Sequence, residues 1–370
     1  MILILGEGIT AKSVERYLEK KGIDYTYDLN SSYDLVMKSP GIKYDHPSVK
    51  EVLKKGIEII SDIELAYRLE ENYYIAVTGT NGKTTVVSLI KHILINSNVD
   101  CEAVGNIGNP IFDHVHKKVL VVELSSFQLM GVKRFKPDIA VITNITEAHQ
   151  DYHTNFEEYV NAKHKIYQNM DNNNLFVNKS IKNVSHSHFN FTKRTFQSSL
   201  KGTHNIENLN AAFQVCKAYG LDEESIKRAI KTFNGLEHRI EEFIPNVFND
   251  SKSTNPISMR TAIDSLGDDV TLICGGKDRF EDFTVLNDVV YKLRQVICYG
   301  ETKNKLIDYF SKLSVNVIGV NNLNQAVTIC KLLKDKKEVL FSPGCSSQDQ
   351  FENYEKRGEK FKQVYTQSTY

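Results

Sequence analysis

The chain has 370 residues, with 46 Lys and Arg against 46 Asp and Glu, so its formal net charge is zero. A chain of this length predicts two or three domains and enough buried surface for ordinary stability. The balanced charge and the lack of a basic stripe argue against nucleic acid as a partner. No apolar run reaches the length of a membrane span, so we expect no membrane insertion.

Cysteine usage and the first residues indicate the compartment. The six cysteines are scattered without a CxxC pair, and Cys101, Cys274, Cys298 and Cys330 lie in apolar surroundings. We therefore predict small core residues rather than disulfides or metal ligands. The apolar run at residues 2–5 has no basic leader or cleavage site, which is typical of a buried strand rather than a signal peptide. A reducing cytoplasm is the expected location.

Short apolar runs alternate with helical patterns along almost the whole chain. This alternation predicts an α/β fold with parallel sheets that are covered on both faces by helices. The runs are residues 2–5, 73–77, 119–122, 139–142, 270–274, 296–298 and 339–341.

Three domains are predicted from this pattern: residues 1–70, 71–236 and 237–370. The last boundary falls at a hinge over residues 235–239, because a helical pattern stops at Phe233 and a glycine follows. The most polar stretch, residues 171–202, is predicted to form surface connections or short antiparallel strands.

The strongest local signal is the string VTGTNGKTT at residues 77–85, which lies between an apolar strand and a helical pattern at residues 86–95. That is the context of a phosphate loop, in which glycines let the backbone amides and a helix N-terminus face a phosphate. Lys83 is predicted to reach the β- and γ-phosphates and Thr84 to bind Mg²⁺. Val77 stands where the usual pattern has its first glycine, so the loop is a shortened variant. The alternative is a glycine-rich turn with an incidental lysine.

The loop alone fits kinases, GTPases, motors and ligases, and other strings choose among them. Residues 78–84 resemble the ATP loop of the Mur ligases and the related folylpolyglutamate synthases. Further strings resemble the D-glutamate-adding branch of the Mur ligases: ELSSFQL at 123–129, NDSKSTN at 249–255, SPGCSSQDQF at 342–351, GNIG at 105–108 and LEHR at 236–239. They cover essentially the whole chain in the right order.

The resemblance implies an ATP-dependent ligase that joins D-glutamate to UDP-N-acetylmuramoyl-L-alanine through an acyl phosphate, in peptidoglycan biosynthesis. It implies a Rossmann-like N-terminal domain, a central P-loop ATPase-like domain and a C-terminal Rossmann-like domain. ATP and two Mg²⁺ ions are the expected cofactors. The expected partners are the small-molecule substrates alone, and the protein is expected to be a monomer.

The resemblance also implies a set of metal ligands and catalytic residues. The metal ligands are Thr84, Glu123, His149 and Lys163, and the catalytic residues are Lys83, His149, Lys163 and Lys252. Glu123 follows the run 119–122, at the end of a strand, where α/β sheets build their sites. Lys163, early in a predicted helix, is expected to be carbamylated, and its spacing from Tyr159 favours it over Lys165. Ala148 and Tyr152 depart from the family pattern near His149.

The same resemblance distributes the ligand contacts. Two asparagines three residues apart share a helical face, and the alternative for them is helix capping. The expected ATP contacts are Gly79, Thr80, Asn81, Gly82, Lys83, Thr84, Thr85, Asn205, Asn208, His238, Arg239 and Asp250. The expected D-glutamate contacts are Lys252, Thr254, Arg279, Ser347 and Tyr354. Two cations and several hydroxyls suit a dicarboxylate, although the family commonly has lysine at Arg279.

The turn GEGITA at residues 6–11 has two readings. Its G-x-G-x-x-A spacing is compatible with an NAD site, whereas the resemblance implies that it binds the UDP group. The expected UDP-substrate contacts are Ile9, Thr10, Asp28, Leu29, Asn30, Gly41 and Asn106.

Four alternatives stay open. A folylpolyglutamate synthase is expected to lack a UDP-binding first domain. Another Mur ligase is disfavoured by the strings at residues 125–129 and 347–350. A dehydrogenase leaves the phosphate loop unexplained. A nucleotide-binding regulatory protein that has lost its activity is disfavoured by the joint presence of five residues, Lys83, Glu123, His149, Lys163 and Lys252.

Overall fold

The computed structural model describes residues 1–146, 152–200 and 202–367. Contacts between residues divide the chain into two compact units. The first comprises Met1–Ser198 and His204–Phe233, and the second Ser199–Thr203 and Asn234–Tyr370. The α/β prediction is confirmed, because three sheets alternate with helices along the chain. Within the described ranges, every helix is too short or too polar to cross a membrane.

The first sheet has four parallel strands in the order β2-β1-β3-β4. Its strands are β1 (Ile2–Leu5), β2 (Tyr25–Thr26), β3 (Leu35–Lys38) and β4 (Glu58–Ile60), and its helices are α1 (Ile9–Lys21), α2 (Pro47–Lys54) and α3 (Asp62–Leu69). Helix α1 ends at Gly22, which adopts the left-handed conformation with φ 67° that favours glycine. The carboxyl ends of the parallel strands meet at one edge, so the segments that follow β1 and β3 lie together.

The second sheet has six parallel strands in the order β10-β9-β8-β5-β7-β6. Its strands are β5 (Tyr73–Thr78), β6 (Cys101–Gly105), β7 (Val119–Glu123), β8 (Ile139–Ile142), β9 (Leu175–Val177) and β10 (Phe189–Asn190). Its helices are α4 (Lys83–Asn96), α5 (Ser126–Met130), α6 (Phe156–His164), α7 (Thr203–Ala218) and α8 (Glu223–Thr232).

The polar stretch differs from its prediction. Its two short strands pair parallel to each other, not antiparallel, because the connection over residues 178–188 carries the chain back before β10 joins the edge. Most of the connection is exposed or half-buried, as predicted.

The third sheet has six strands in the order β11-β12-β16-β13-β14-β15. Its strands are β11 (Glu241–Ile244), β12 (Val247–Asn249), β13 (Val270–Gly275), β14 (Leu293–Tyr299), β15 (Asn316–Gly319) and β16 (Glu338–Phe341). Its helices are α9 (Pro256–Asp264), α10 (Lys303–Lys312), α11 (Leu323–Leu332) and α12 (Tyr354–Thr366). The prediction of a wholly parallel sheet is wrong at one edge, where β11 and β12 form an antiparallel hairpin. Asn246 allows this tight turn, since its φ is 64°.

Helices cover both faces of the third sheet, as the continuous apolar runs predict. Along β13, Leu272 and Cys274 belong to one hydrophobic cluster, and Ile273 belongs to another on the opposite face. The four cysteines that were predicted to be core residues are buried and unpaired, which confirms that prediction.

Candidate active site

The phosphate loop connects β5 to α4 and follows a tightly packed path. Gly79 and Gly82 have φ values of 146° and 83°. A Cβ atom at Gly79 would lie 1.9 Å from Thr143 Oγ1, and one at Gly82 would lie 2.5 Å from Asn208 Oδ1. Glycine is therefore required at both positions by backbone conformation and by space.

Neighbouring strand ends hold the loop in place. Thr143, directly after β8, donates to the carbonyl of Asn81 at 2.6 Å. Asn144 accepts from the Asn81 amide at 2.9 Å. Helix α4 begins at Lys83 and has no acidic residue in its first turn, so the positive end of its dipole is not neutralised by its own side chains. The loop is arranged to receive an anion.

Lys83 is less exposed than is expected of a lysine in a loop. It is half-buried and is the first residue of α4. Its ammonium donates to the carbonyls of Gly79 and Thr80, each at 2.9 Å. The side chain is therefore folded back over its own loop.

Glu123 is the last residue of β7 and is only 2% exposed. One carboxylate oxygen accepts from the amide of Asn106 at 2.8 Å. The other is buried and has no hydrogen-bond partner among the described residues. An unsatisfied buried carboxylate oxygen is costly, and oxygen of this kind is what a hard divalent cation prefers. This oxygen fits the predicted Mg²⁺ site.

Lys163 lies at the penultimate position of α6, not early in a helix as expected, because the helix begins only at Phe156. It is 1% exposed, and its ammonium donates to the Gly79 carbonyl at 2.7 Å. Burial and the positive charge of Lys83 lower the pKa of Lys163 to about 6, and the negative charge of Glu123 only partly offsets them. The amine is mainly neutral at neutral pH.

The described part of the site brings Lys83, Glu123 and Lys163 around Gly79. Thr84 is half-buried in the first turn of α4. His149 lies outside the described residues, as does Ala148. Among the residues that the structure does describe, no group of three or more His, Cys, Asp or Glu side chains is arranged to hold a metal ion.

Helix α7 contributes the two predicted asparagines. Asn208 donates from its amide to the Asn205 side-chain oxygen at 2.9 Å, and both residues are buried. The two side chains therefore do share one face, and that of Asn208 lies against Gly82. Asn208 therefore contacts the phosphate loop, which helix capping alone would not require.

In the second unit, the predicted nucleotide contacts surround the end of β12. His238 is buried with φ 61°, and its Nδ1 lies 2.8 Å from Asn249 Nδ2. Asp250 accepts from the hydroxyls of Ser253 and Ser342. Burial raises the pKa of Asp250 to about 6 despite these hydrogen bonds. Arg239 is half-buried.

The predicted amino-acid contacts of the second unit range from exposed to buried. Lys252 is exposed, with its ammonium 3.9 Å from the centroid of the Tyr354 ring. Arg279 is exposed and donates to the Gln348 side-chain oxygen at 3.0 Å. Thr254 is half-buried and Ser347 is buried.

Sequence reasoning missed Arg357, a fully buried cation in α12. Its guanidinium donates to the Ser251 hydroxyl and carbonyl and to the Cys345 carbonyl, at 3.1, 2.8 and 2.9 Å. It therefore joins the segments that carry Lys252 and Ser347. One signal in the sequence was available, since Arg357 stands three residues after Tyr354 and so shares its helical face.

The predicted UDP-substrate contacts in the first unit follow the ends of four strands, β1, β2, β3 and β6. Ile9 and Thr10 begin α1, and Gly41 is exposed in the turn after β3. Residues 28–30 form a polar turn in which the Asp28 carboxylate accepts from the Asn30 amide at 2.9 Å. Asn106 lies apart from these at the end of β6, on Glu123.

Known proteins resemble the chain along its whole length. The Mur ligase middle domain family matches residues 77–194. The UDP-N-acetylmuramoylalanine–D-glutamate ligase of Halalkalibacterium halodurans is 34% identical over 391 residues, which cover 93% of this chain and 87% of that protein. The Staphylococcus aureus ligase of the same name is 34% identical over 400 residues, covering 96% and 89%.

Solved structures share the fold. The UDP-N-acetylmuramate–alanine ligase of Thermotoga maritima superposes with a TM-score of 0.63 at 19% identity and covers 98% of each chain. MurF from Acinetobacter baumannii gives a TM-score of 0.61 at 17% identity, covering 97% of this chain and 99% of its own. The chain therefore belongs to the Mur ligase family, and the two relatives at 34% identity are UDP-N-acetylmuramoylalanine–D-glutamate ligases.

Proposed function

We propose that the chain is an ATP-dependent ligase that adds D-glutamate to UDP-N-acetylmuramoyl-L-alanine in peptidoglycan biosynthesis, acting in the cytoplasm as a monomer. The names of its relatives give the two substrates. The observation that carries the proposal is the meeting of Lys83 and Lys163 on the Gly79 carbonyl beside the buried Glu123. Such a cluster suits charge-neutralised phosphoryl transfer.

The reaction has two steps. The terminal carboxylate oxygen of the UDP-linked substrate attacks the γ-phosphorus of ATP, so that an acyl phosphate forms and ADP leaves. The D-glutamate amine then attacks the acyl carbon, the carbon–oxygen bond to phosphate breaks, and the amine loses its proton. Lys83 and the loop amides hold the phosphates during the first step. Holding both reactants in place supplies much of the acceleration.

Mg²⁺, as two ions, would neutralise phosphate charge when bound by Thr84, Glu123, His149 and carbamylated Lys163. Glu123 suits this role, since it has a buried oxygen without a partner among the described residues. The lowered pKa of Lys163 supports carbamylation, because only a neutral amine adds CO₂. The nitrogen forms a bond to the carbon of CO₂ and releases a proton, which leaves an anionic carbamate.

The remaining contacts and boundaries stay predictions. They are three domains at residues 1–70, 71–236 and 237–370; ATP contacts at residues 79–85, Asn205, Asn208, His238, Arg239 and Asp250; UDP-substrate contacts at Ile9, Thr10, Asp28, Leu29, Asn30, Gly41 and Asn106; and D-glutamate contacts at Lys252, Thr254, Arg279, Ser347 and Tyr354. The close packing around Gly79 and Gly82 supports the predicted ATP contacts.

One assay tests the proposal: phosphate release from ATP with UDP-N-acetylmuramoyl-L-alanine, with and without D-glutamate. We expect release only when D-glutamate is present, and poor turnover with L-glutamate, D-alanine or diaminopimelate. D-alanine lacks the second carboxylate, and L-glutamate presents its amine in the wrong direction. Equal turnover of diaminopimelate would reassign the chain to another Mur ligase activity, and turnover only with folate substrates would exclude peptidoglycan synthesis.

A further inference from the structure

Lys38 is a buried cation that the proposed chemistry does not use. It is the last residue of β3 and is 3% exposed. Its ammonium donates to the Ile42 carbonyl at 2.7 Å and to the Ser39 carbonyl at 3.3 Å. It also lies 4.8 Å from the centroid of the Tyr44 ring. Burying an ammonium costs free energy that an apolar side chain of similar length would not, which points to a role beyond stability.

Both carbonyls belong to one turn, residues 39–42, which we call the substrate turn. The turn contains Gly41, which is exposed and has open space around it. Its first residue packs against the loop after β1, since a Cβ atom at Gly6 would lie 2.3 Å from Ser39 Oγ. The Ser39 amide also donates to the Leu5 carbonyl at 2.9 Å. The substrate turn therefore lies beside the start of α1, where Ile9 and Thr10 are predicted to contact substrate.

A second side chain, from the turn that precedes α6, reaches the same carbonyl. The Tyr152 hydroxyl donates to the Ile42 carbonyl at 3.4 Å. The Tyr152 ring packs on Phe127, with 3.9 Å between ring centroids, and Phe127 belongs to α5. That helix follows β7, whose last residue is Glu123. The position of the substrate turn is thus connected to the edge of the sheet that carries the phosphate loop.

Buried polar groups around Lys38 complete the connection. Asp62, in the first turn of α3, is buried and accepts weakly from the Gln128 amide at 3.4 Å. Burial lowers the pKa of Lys38 to about 8, and the charge of Asp62 partly offsets this. The ammonium is therefore mainly charged at pH 7, and hydrogen bonds from a charged donor are the stronger ones.

We infer that Lys38 is a positioning residue for the UDP-linked substrate, holding the substrate turn in place together with Tyr152. The inference rests on the proposed function, and it concerns neither ATP nor D-glutamate. Lys38 does not touch the reacting atoms. It acts through the carbonyls of Ser39 and Ile42 in the turn that contains Gly41, so its loss would weaken binding of one substrate and leave the chemistry unchanged.

The test is Lys38→Met, which keeps the length of the side chain and removes its donor. We expect the KM for UDP-N-acetylmuramoyl-L-alanine to rise about tenfold or more, which corresponds to about 1.4 kcal/mol. The kcat and the KM values for ATP and D-glutamate should stay within about twofold of the parent. A role in stability alone would lower the melting temperature without this split between substrates.

Lys336→Met is the matched control. Lys336 also donates to two carbonyls of one turn, those of Lys331 and Leu333, at 3.2 and 2.6 Å, but it belongs to the second unit and is not one of the predicted substrate contacts. Its three KM values should equal those of the parent. An unchanged KM for the UDP-linked substrate in Lys38→Met would overturn the inference, and so would an equal rise in all three KM values.

Tyr152→Phe covers the case in which Lys38→Met does not fold. It keeps the ring on Phe127 and removes only the hydroxyl. The Kd for UDP-N-acetylmuramoyl-L-alanine, measured by calorimetry on the full chain, should rise about threefold to fivefold, as expected for one lost neutral hydrogen bond. An unchanged Kd would overturn the inference. If the parent binds this ligand but releases no phosphate from ATP, the proposed function fails while the binding comparison still tests the inference.

Discussion

Charged side chains differ in solvent exposure between the strand ends of the second sheet and those of the third. Around the phosphate loop, Glu123 and Lys163 are 2% and 1% exposed. At the predicted amino-acid contacts of the second unit, Lys252 and Arg279 are exposed. The first group is enclosed by the fold, whereas the second is exposed and contacts Tyr354 and Gln348.

This difference in exposure shows which functional side chains the fold positions before any ligand binds. A buried position penalises the charged form of a lysine and leaves its side chain little freedom, and burial is the main cause of the lowered pKa of Lys163. Lys252 and Arg279 are exposed by contrast, and an exposed long side chain loses rotamer freedom when a ligand binds. Substitutions at the phosphate loop should therefore affect turnover, and substitutions at the amino-acid contacts should affect KM.

The largest effect is expected for Lys83→Ala. Turnover should fall about 1,000-fold or more, because a donor to the transferring phosphate is lost. The melting temperature should change little, since the ammonium reaches carbonyls of its own loop. Lys91→Ala on the same helix, where Lys91 pairs with Glu102, is the control and should retain activity. Near-normal turnover of Lys83→Ala would refute the phosphate-loop assignment.

Lys163→Ala should lower turnover about 100-fold, with partial recovery in added acetate, because a small carboxylate can replace the carbamate. Loading with CO₂ should decline as the pH falls through about 6, where the amine becomes protonated. Lys165→Ala is the comparison, since Lys165 is a half-buried neighbour that donates to the Met130 carbonyl. Full activity of Lys163→Ala without acetate would disprove the carbamate at Lys163. If Lys165→Ala instead loses activity and recovers it in acetate, the carbamate would be assigned to Lys165.

Ser347→Ala should raise the KM for D-glutamate about fivefold to tenfold, as for one hydrogen bond to a charged ligand. The KM for ATP should not change. Ser346→Ala removes the hydroxyl of the adjacent buried serine and should leave both values alone. An equal rise in the KM values for ATP and D-glutamate would place Ser347 outside a dedicated amino-acid site.

The smallest effect is expected for Arg279→Lys. The positive charge survives, and only the hydrogen bond to Gln348 is lost, so the KM for D-glutamate should rise by less than about threefold. Arg279→Gln should raise it further, because the charge itself is removed. If lysine and glutamine weaken D-glutamate binding equally, guanidinium geometry rather than charge matters at this position.

Local sequence patterns predict the elements well but not the depth of their side chains. The strand, loop and helix around residues 77–96 carry their own signals, and the structure has β5 and α4 there. Glu123 was placed correctly at a strand end because parallel strands share an edge. The burial of Lys163 was not predictable, since it depends on α6 packing against the loop after β5.

Lys38 shows the limit more clearly. In the sequence it is a single lysine at the end of a short apolar run. It donates to the carbonyl of Ile42, four residues away, and the same carbonyl accepts from Tyr152, which is distant in the sequence. The spacing of residues within one element cannot predict that Lys38 and Tyr152 contact the same carbonyl, because this contact forms only when the two sheets pack together.

The buried thiols give each unit its own reporter of opening. Cys101 and Cys216 lie in the first unit, and Cys274, Cys298, Cys330 and Cys345 lie in the second. All six are shielded from solvent, so an alkylating reagent reaches them only during local or global unfolding. Pulse labelling followed by peptide mapping would therefore time the opening of the two units separately, in the unmodified protein and without an added probe.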